Sequence, residues 1–433
     1  MLSIRSTGLV SVLLATVAVG VAACAPTSTP APAANALRIG VDLPVTGREQ
    51  RAATTALDGI RYFVQTHPTL DGFPVELVTA DDAADPARGV ANVNHFISDP
   101  RVLAMIGPFD AAVARRQIPA ANMAGLAMVS PATGNPCLTR DIYLPAALNP
   151  SHTALTCKQA GLPSGAELRP SGINNFFRLT VPDDLQGAAA ADFAFGTLHV
   201  LRVAVISDRE VYGQALAAAF SARLARLGGT VVGRLDVAGT DVAAFLGRAK
   251  SNGAQAVYYG GATAAGCVIR AQMASVFSTG EATPFLGGDG LAYDPACVRA
   301  AGANSAGIYA TVAFPDAGTL PAAAATIRAF RAAYGNTSAY GPYTMLAYDA
   351  TAVVYAALDR AIRARSGAFP DRPGVLAQVA QTDGLAGVTG NLGFDKNGDT
   401  TNRVVTVLEA PTTDARAPWK PAGAVDYAAR SPY

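Results

Sequence analysis

At 433 residues the chain is too long for one ordinary domain and suits two lobes. Its formal net charge is +1 and no basic cluster is interleaved with aromatics, which excludes bulk electrostatic attraction to nucleic acid. Charged residues are 15%, under the usual ~25%, Ala is abundant and Arg far outnumbers Lys; this is a compositional bias of a GC-rich genome, not a functional adaptation.

The chain starts with one basic residue, Arg5, and an apolar run over 9–23. A short charged region, an apolar core and small residues at the end predict a signal peptide over 1–23. No basic stop-transfer cluster follows, which argues against a permanent transmembrane helix. Val21-Ala22-Ala23-Cys24 resembles a bacterial lipobox, whose Cys becomes the first mature residue and takes a diacylglycerol. Cys24 is therefore the expected lipidation site, with a plain Ala-x-Ala cut as the alternative. Acyl chains contribute roughly 0.8 kcal/mol per buried methylene. The segment 24–36 is rich in Pro, Ser, Thr and Ala and reads as a tether holding the folded body to the outer face of the cell membrane.

Strand-like runs at 37–43, 74–80, 102–107 and 126–129 alternate with helical stretches at 53–66, 86–98 and 111–124. A second series repeats the order, with strands at 201–207, 230–237, 255–259 and 284–287 and helices at 211–227, 240–251 and 264–277. This rhythm predicts βα crossovers and mainly parallel sheets in two similar Rossmann-like lobes, an α/β fold. Between Cys137 and Phe176 the pattern fails, and Pro145, Pro150, Pro163 and Pro170 mark a long irregular loop. Helical patterns return at 322–335 and 342–364, where Tyr348, Ala352, Tyr355 and Leu358 recur at core spacing. A strand-rich tail covers roughly 386–410.

Apart from Cys24, four Cys remain. Three pairings are possible, of which Cys137–Cys157 and Cys267–Cys297 are favoured because each pair is close in sequence and falls within one lobe. No CxxC occurs and His67, His95, His152 and His199 are scattered, so no metal site is expected. Asp395-Lys396-Asn397-Gly398-Asp399 resembles the start of a calcium loop. Its twelfth position is Thr406 in place of Glu and its sixth is Thr400 in place of Gly, so it reads as a β-turn.

In open parallel sheets ligands lie beyond the carboxyl ends of the strands. Those ends fall at 44–47, Asp81-Asp82, Pro108-Phe109-Asp110 and 130–134, then at Ser207-Asp208, 260–263 and Gly288-Asp289-Gly290. Asp81 and Asp82 read first as turn or cap residues. Asp289, between two Gly, is the sharpest candidate for holding an amine or hydroxyl by a charge-assisted bond. Tyr212, at a helix start and followed by Gly213, supplies a ring wall and a hydroxyl.

These residues, with Val129-Ser130-Pro131, Asn135-Pro136, Asp183-Asp184-Leu185-Gln186-Gly187, Tyr258-Tyr259-Gly260-Gly261, Gly341-Pro342-Tyr343 and Phe394-Asp395, resemble the type I periplasmic binding proteins of the branched-chain amino-acid and amide class. The resemblance covers nearly all of 37–410. It implies two lobes, 37–178 plus 312–388 and 179–311 plus 389–433, joined by a three-segment hinge near 177–180, 311–314 and 388–393. It also implies an ABC permease in the membrane as partner, a small-molecule solute, a monomer, no cofactor and no enzymatic activity. The absence of a Gly-x-Ser-x-Gly elbow, a zinc-type His motif and a phosphate loop agrees. A lipid-anchored sensor of the same fold is the alternative.

In that family lobe 1 grips a ligand carboxylate after its third and fourth strands, which here means Phe109, Asp110, Ala132 and Thr133, and Asp183 joins them as a candidate. Lobe 2 closes with an acidic residue and tyrosines, here Asp289 and Tyr212. A second family tyrosine would fall at Ala262 or Thr263 and is absent. The Ser-rich carboxylate turn is replaced by Asp110-Ala111-Ala112-Val113, and an Asp there repels a carboxylate. The expected solute is an amino acid, amide or related amine.

Overall fold

The computed structural model describes Leu2 and residues 35–428, apart from 240, 262–264, 278–282, 293–294, 336–339, 413 and 416–417. Apart from Leu2, the expected leader, together with Cys24, the tether up to residue 34, Ala262 and Thr263, lies outside the described residues.

From Leu37 the chain runs β1 (Leu37–Asp42), α1 (Gln50–Thr66), β2 (Thr69–Leu70), β3 (Phe73–Ala80), α2 (Pro86–Ser98), β4 (Val102–Ile106), α3 (Ala111–Met123) and β5 (Ala127–Ser130). β4 reads Val-Leu-Ala-Met-Ile and is buried throughout, as a parallel strand covered on both faces requires. α2 starts where sequence chemistry places it: Asp85 caps the Ala87 N–H, and Pro86 occupies the first turn. The Pro-rich stretch that follows holds a 3₁₀ turn at Pro136–Leu138 and a small pair, β6 (Ile142–Leu144) with β7 (Leu155–Thr156), stapled by Cys137–Cys157. β8 (Phe176–Arg178) closes the first sheet in the order β2-β3-β1-β4-β5-β8, parallel except at β2–β3.

The second series is α4 (Asp183–Gly196), β9 (Arg202–Ser207), α5 (Val211–Arg226), β10 (Thr230–Asp236), α6 (Ala243–Ser251), β11 (Ala256–Gly260), α7 (Ala265–Val276), β12 (Phe285–Gly287), α8 (Pro295–Ala301) and β13 (Ile308–Val312). Cys267–Cys297 ties α7 to α8. Next come α9 (Ala324–Tyr334), α10 (Thr344–Ala364), α11 (Arg372–Ala380) and the hairpin β14 (Leu385–Gly387)–β15 (Gly390–Leu392). β16 (Val404–Glu409) and β17 (Lys420–Asp426) then add antiparallel to the second sheet, in the order β10-β9-β11-β12-β13-β16-β17. α10 returns to the first sheet, where it packs on α1: Phe63 meets Tyr348 and Tyr355 at ring separations of 4.7 and 4.9 Å.

The chain thus passes between two α/β lobes three times. The first two passages touch, with the Val181 N–H donating to Ala313 O at 2.7 Å. The third runs through 393–403, somewhat later than the expected 388–393, because the Val388 and Thr389 N–H groups donate to Asp349 of α10 and keep that segment on the first lobe. Its Asp395 turn is a turn indeed, with Asp395 accepting from the Asn397 and Asp399 N–H groups. Asp399 is buried against Arg178, whose Nε donates at 2.8 Å, and pairs with Arg140 at 3.1 Å.

Candidate ligand-binding site

The ends of β1, β4 and β5 face the ends of β9 and β12 across a cavity of about 140 Å³. A void of that order holds one ring-sized or amino-acid-sized solute. Seven expected residues line it: Phe109, Asp110, Ala132, Thr133, Asp183, Tyr212 and Asp289. Arg48, Glu49, Glu210 and Tyr343, none of them among the expected site residues, line it too.

Asp289 follows β12 in a 3₁₀ turn, on the wall of the cavity. Its Oδ1 accepts from the Tyr212 hydroxyl of α5 and from Gln186 Nε2 of α4, the latter at 2.6 Å. The Tyr343 hydroxyl, just before α10 on the other lobe, donates to its Oδ2. One carboxylate therefore gathers donors from both lobes. Burial first, and then the Asp289 charge, holds the Tyr212 and Tyr343 hydroxyls well above the ordinary phenol range, so both remain donors. Gly288 has a plain reason: an added β-carbon would overlap the Tyr212 hydroxyl.

Asp110 caps α3, accepting from the Ala112 and Val113 N–H groups at 2.7 and 3.2 Å. Arg48 Nη2 donates to it at 3.1 Å. Arg48 also lies 3.5 Å from Glu49 and 3.3 Å from Glu210 at the start of α5, and so spans the cleft. The bare repulsive Asp110 expected from sequence is thus a capped and ion-paired one. Thr133 is buried, and its hydroxyl and N–H donate to Ser130 Oγ at 2.8 and 3.0 Å. Phe109 meets the Tyr343 ring edge-on at 4.7 Å, forming an apolar wall.

Two carboxyl groups behave differently. Asp183, at the start of α4, is 1% exposed, and neither of its carboxyl oxygens has a hydrogen-bond partner. Burial raises it well above the usual carboxylate range, against the pull of Arg178, with Asp289 and Asp184 adding to the rise. It packs on Gly134, where a β-carbon would collide with Oδ1. Glu49 is pushed up to about 8 by burial and by Asp110, against Arg48, and its Oε2 is unpartnered.

Asp81 and Asp82 hold turns, accepting from the Ala83 and Ala84 N–H groups. Among the described residues no cluster of His, Cys, Asp and Glu fits a metal ion.

The family described as Periplasmic binding protein matches residues 36–415. An "Amino acid binding protein" of Pseudomonas aeruginosa is 28% identical over 337 residues, 76% of this chain and 77% of that one. A "Leu/Ile/Val-binding protein homolog 1" of Brucella abortus is 28% identical over 374 residues, 83% of this chain and 86% of that one. The crystal structure of a leucine-binding protein from Thermotoga maritima superposes with a TM-score of 0.72 at 25% identity, covering 90% of this chain and 99% of that one. With two α/β lobes, three crossings and one cavity at the facing strand ends, the chain belongs to the periplasmic binding protein family, and so is an extracytoplasmic solute-binding protein of ABC transport and not an enzyme.

Proposed function

We propose that this protein is the lipid-anchored receptor of an ABC importer and binds one small polar solute, an amino acid, amide or related amine, between its lobes. The observation that carries the proposal is Asp289, which draws Tyr212 and Gln186 from one lobe and Tyr343 from the other at the cavity wall. A solute amine at that carboxylate replaces the Tyr343 hydroxyl and still joins the lobes. Closure is then coupled to occupancy, since only the closed form offers both walls. The lobes follow the expected division, 37–178 plus 312–388 and 179–311 plus 389–433, with the third boundary moved to the passage through 393–403, and the ligand wall comprises Phe109, Asp110, Ala132, Thr133, Asp183, Tyr212 and Asp289. Cys24 carries the lipid, 1–23 is the leader, and the solute is passed as a monomer's cargo to permease subunits in the membrane. The names of the relatives in P. aeruginosa and B. abortus support an amino-acid-like solute.

The test is thermal unfolding against amino acids, amides, amines, polyols and aromatic acids. A solute at about a hundred times its Kd adds about 2.7 kcal/mol, which for a chain of this length moves the midpoint by about 3 °C. The shift is expected for one class and lost in Asp289→Ala. A shift unchanged by that substitution moves the site elsewhere.

A further inference from the structure

The family to which the chain belongs suggests a solute with a carboxylate, but the donors that would hold one are already engaged. The Ala112 and Val113 N–H groups donate to Asp110 Oδ1. The Ala132 N–H, the Thr133 N–H and the Thr133 hydroxyl all donate to Ser130 Oγ, at 3.2, 3.0 and 2.8 Å. Arg48, a guanidinium on the cavity wall, lies within 3.5 Å of Glu49, Asp110 and Glu210. An incoming carboxylate must therefore displace internal acceptors that are themselves anionic or preorganised.

The opposite charge finds the opposite situation. The wall carries six carboxyl side chains (Glu49, Asp110, Asp183, Asp208, Glu210, Asp289) and two arginines, Arg48 and Arg51. Asp183 is 1% exposed with both carboxyl oxygens unpartnered, and Glu49 Oε2 is unpartnered as well. A buried acceptor with no donor is costly unless a ligand supplies one. Donors are what this site lacks, and a cation carrying several N–H groups provides both the donors and the compensating charge.

We propose that the solute is an organic cation without a carboxylate, of the alkyl diamine or aminoalkyl guanidine class, with one cationic end set against Asp183 and Glu49 and its other amine at Asp289. This rests on the receptor reading above and narrows it. The cavity of about 140 Å³ suits a short linear cation of this kind.

Paired probes isolate the carboxylate: agmatine against arginine, putrescine against ornithine, cadaverine against lysine, with leucine and benzoate added. Binding is measured by calorimetry on the full chain, purified in mild detergent. Each decarboxylated cation is expected to bind at least about tenfold more tightly than its parent amino acid, the scale of one charge-assisted bond gained or lost. Asp183→Asn and Glu49→Gln should each weaken the cation by about tenfold or more, because each keeps the side-chain shape and removes the charge the cation meets; the solute-free unfolding midpoint, measured alongside, reports whether each variant is folded. If Asp183→Asn does not fold, Glu49→Gln carries the same test. Tighter binding of a parent amino acid, leucine or benzoate overturns the cation and leaves the receptor standing. Cation binding unchanged in both variants also overturns the placement. Silence from every probe overturns the cation and leaves the receptor standing, to be read from the amides and polyols of the wider panel.

Discussion

At the scale of single residues, Asp289 concentrates the chemistry of the cleft. Asp289→Asn keeps the shape and removes the charge that Tyr212, Gln186 and Tyr343 share. It should weaken solute binding by about 1.5–3 kcal/mol, the scale of a hydrogen bond to a charged group, and calorimetry reads this directly. Glu49 gives a pH signature. Burial raises its carboxyl from 4.5 to about 8, with Asp110, Asp82 and Asp289 adding to the rise and Arg48 opposing it, and Tyr343 faces it from the other wall. A carboxyl raised on folding contributes stability that is full below pH 4.5 and is lost as pH rises through 8. The solute-free wild type should therefore lose stability relative to Glu49→Gln between those values, as measured by urea unfolding at stepped pH; parallel curves for the two proteins contradict this. The strand-end rule found Asp110, Thr133 and Asp289 from sequence because turns after parallel strands carry Gly, Asp and small hydroxyls. The strand end at 44–47 stops just before Arg48 and Glu49. Tyr343 sits more than fifty residues beyond Asp289 in a helix start, and nothing local in the sequence aims its hydroxyl at a carboxylate on the other lobe.

At the scale of elements, the strands and helices of both βα series stand where hydrophobic period placed them, and both disulfides join the favoured pairs. α4 escaped the period because it is buried nearly all round, from Asp183 to Ala191, so no polar face marks it. α11 begins Arg-Pro-Gly, which resembles a turn, yet Asp371 caps Gly374 and the Pro sits in the first turn. β17 contains a Pro and a Gly and is tolerated as a sheet edge. The third crossing depends on Arg178, which is fully buried and donates to Asp399 and Thr139 as well as to the Thr133 and Asn135 carbonyls. Arg178→Met leaves Asp399 with less compensation and should cost about 3–5 kcal/mol, visible as a lowered urea midpoint at unchanged slope. A loss under about 1 kcal/mol would mean the pair is not what secures that passage. Cys137→Ser with Cys157→Ser opens a loop with a sequence separation of 20. The double variant should lose about 3 kcal/mol on the chain-entropy scale, with cleavage by protease appearing first in the Pro-rich stretch it closes.

At the scale of the whole molecule, two sheets are built from separate stretches of chain and joined by three passages among the described residues, and the proposed closure of the two lobes is a motion about those passages. Polar pairs that cross the cleft at the cavity include Arg48 to Glu210 and Tyr343 to Asp289, while Leu144 and Leu148 of the Pro-rich stretch share an apolar cluster with Leu185, Ala219 and Ala222 of the second lobe. A solute that touches both walls binds the closed form better than the open one and so shifts the balance between them. Small-angle X-ray scattering on the purified protein, with and without the solute that stabilises it, tests this most directly. A fall in the radius of gyration on saturation, abolished in Asp289→Ala, is the predicted result. A saturated protein whose radius of gyration stays at the solute-free value would contradict binding by closure of the two lobes.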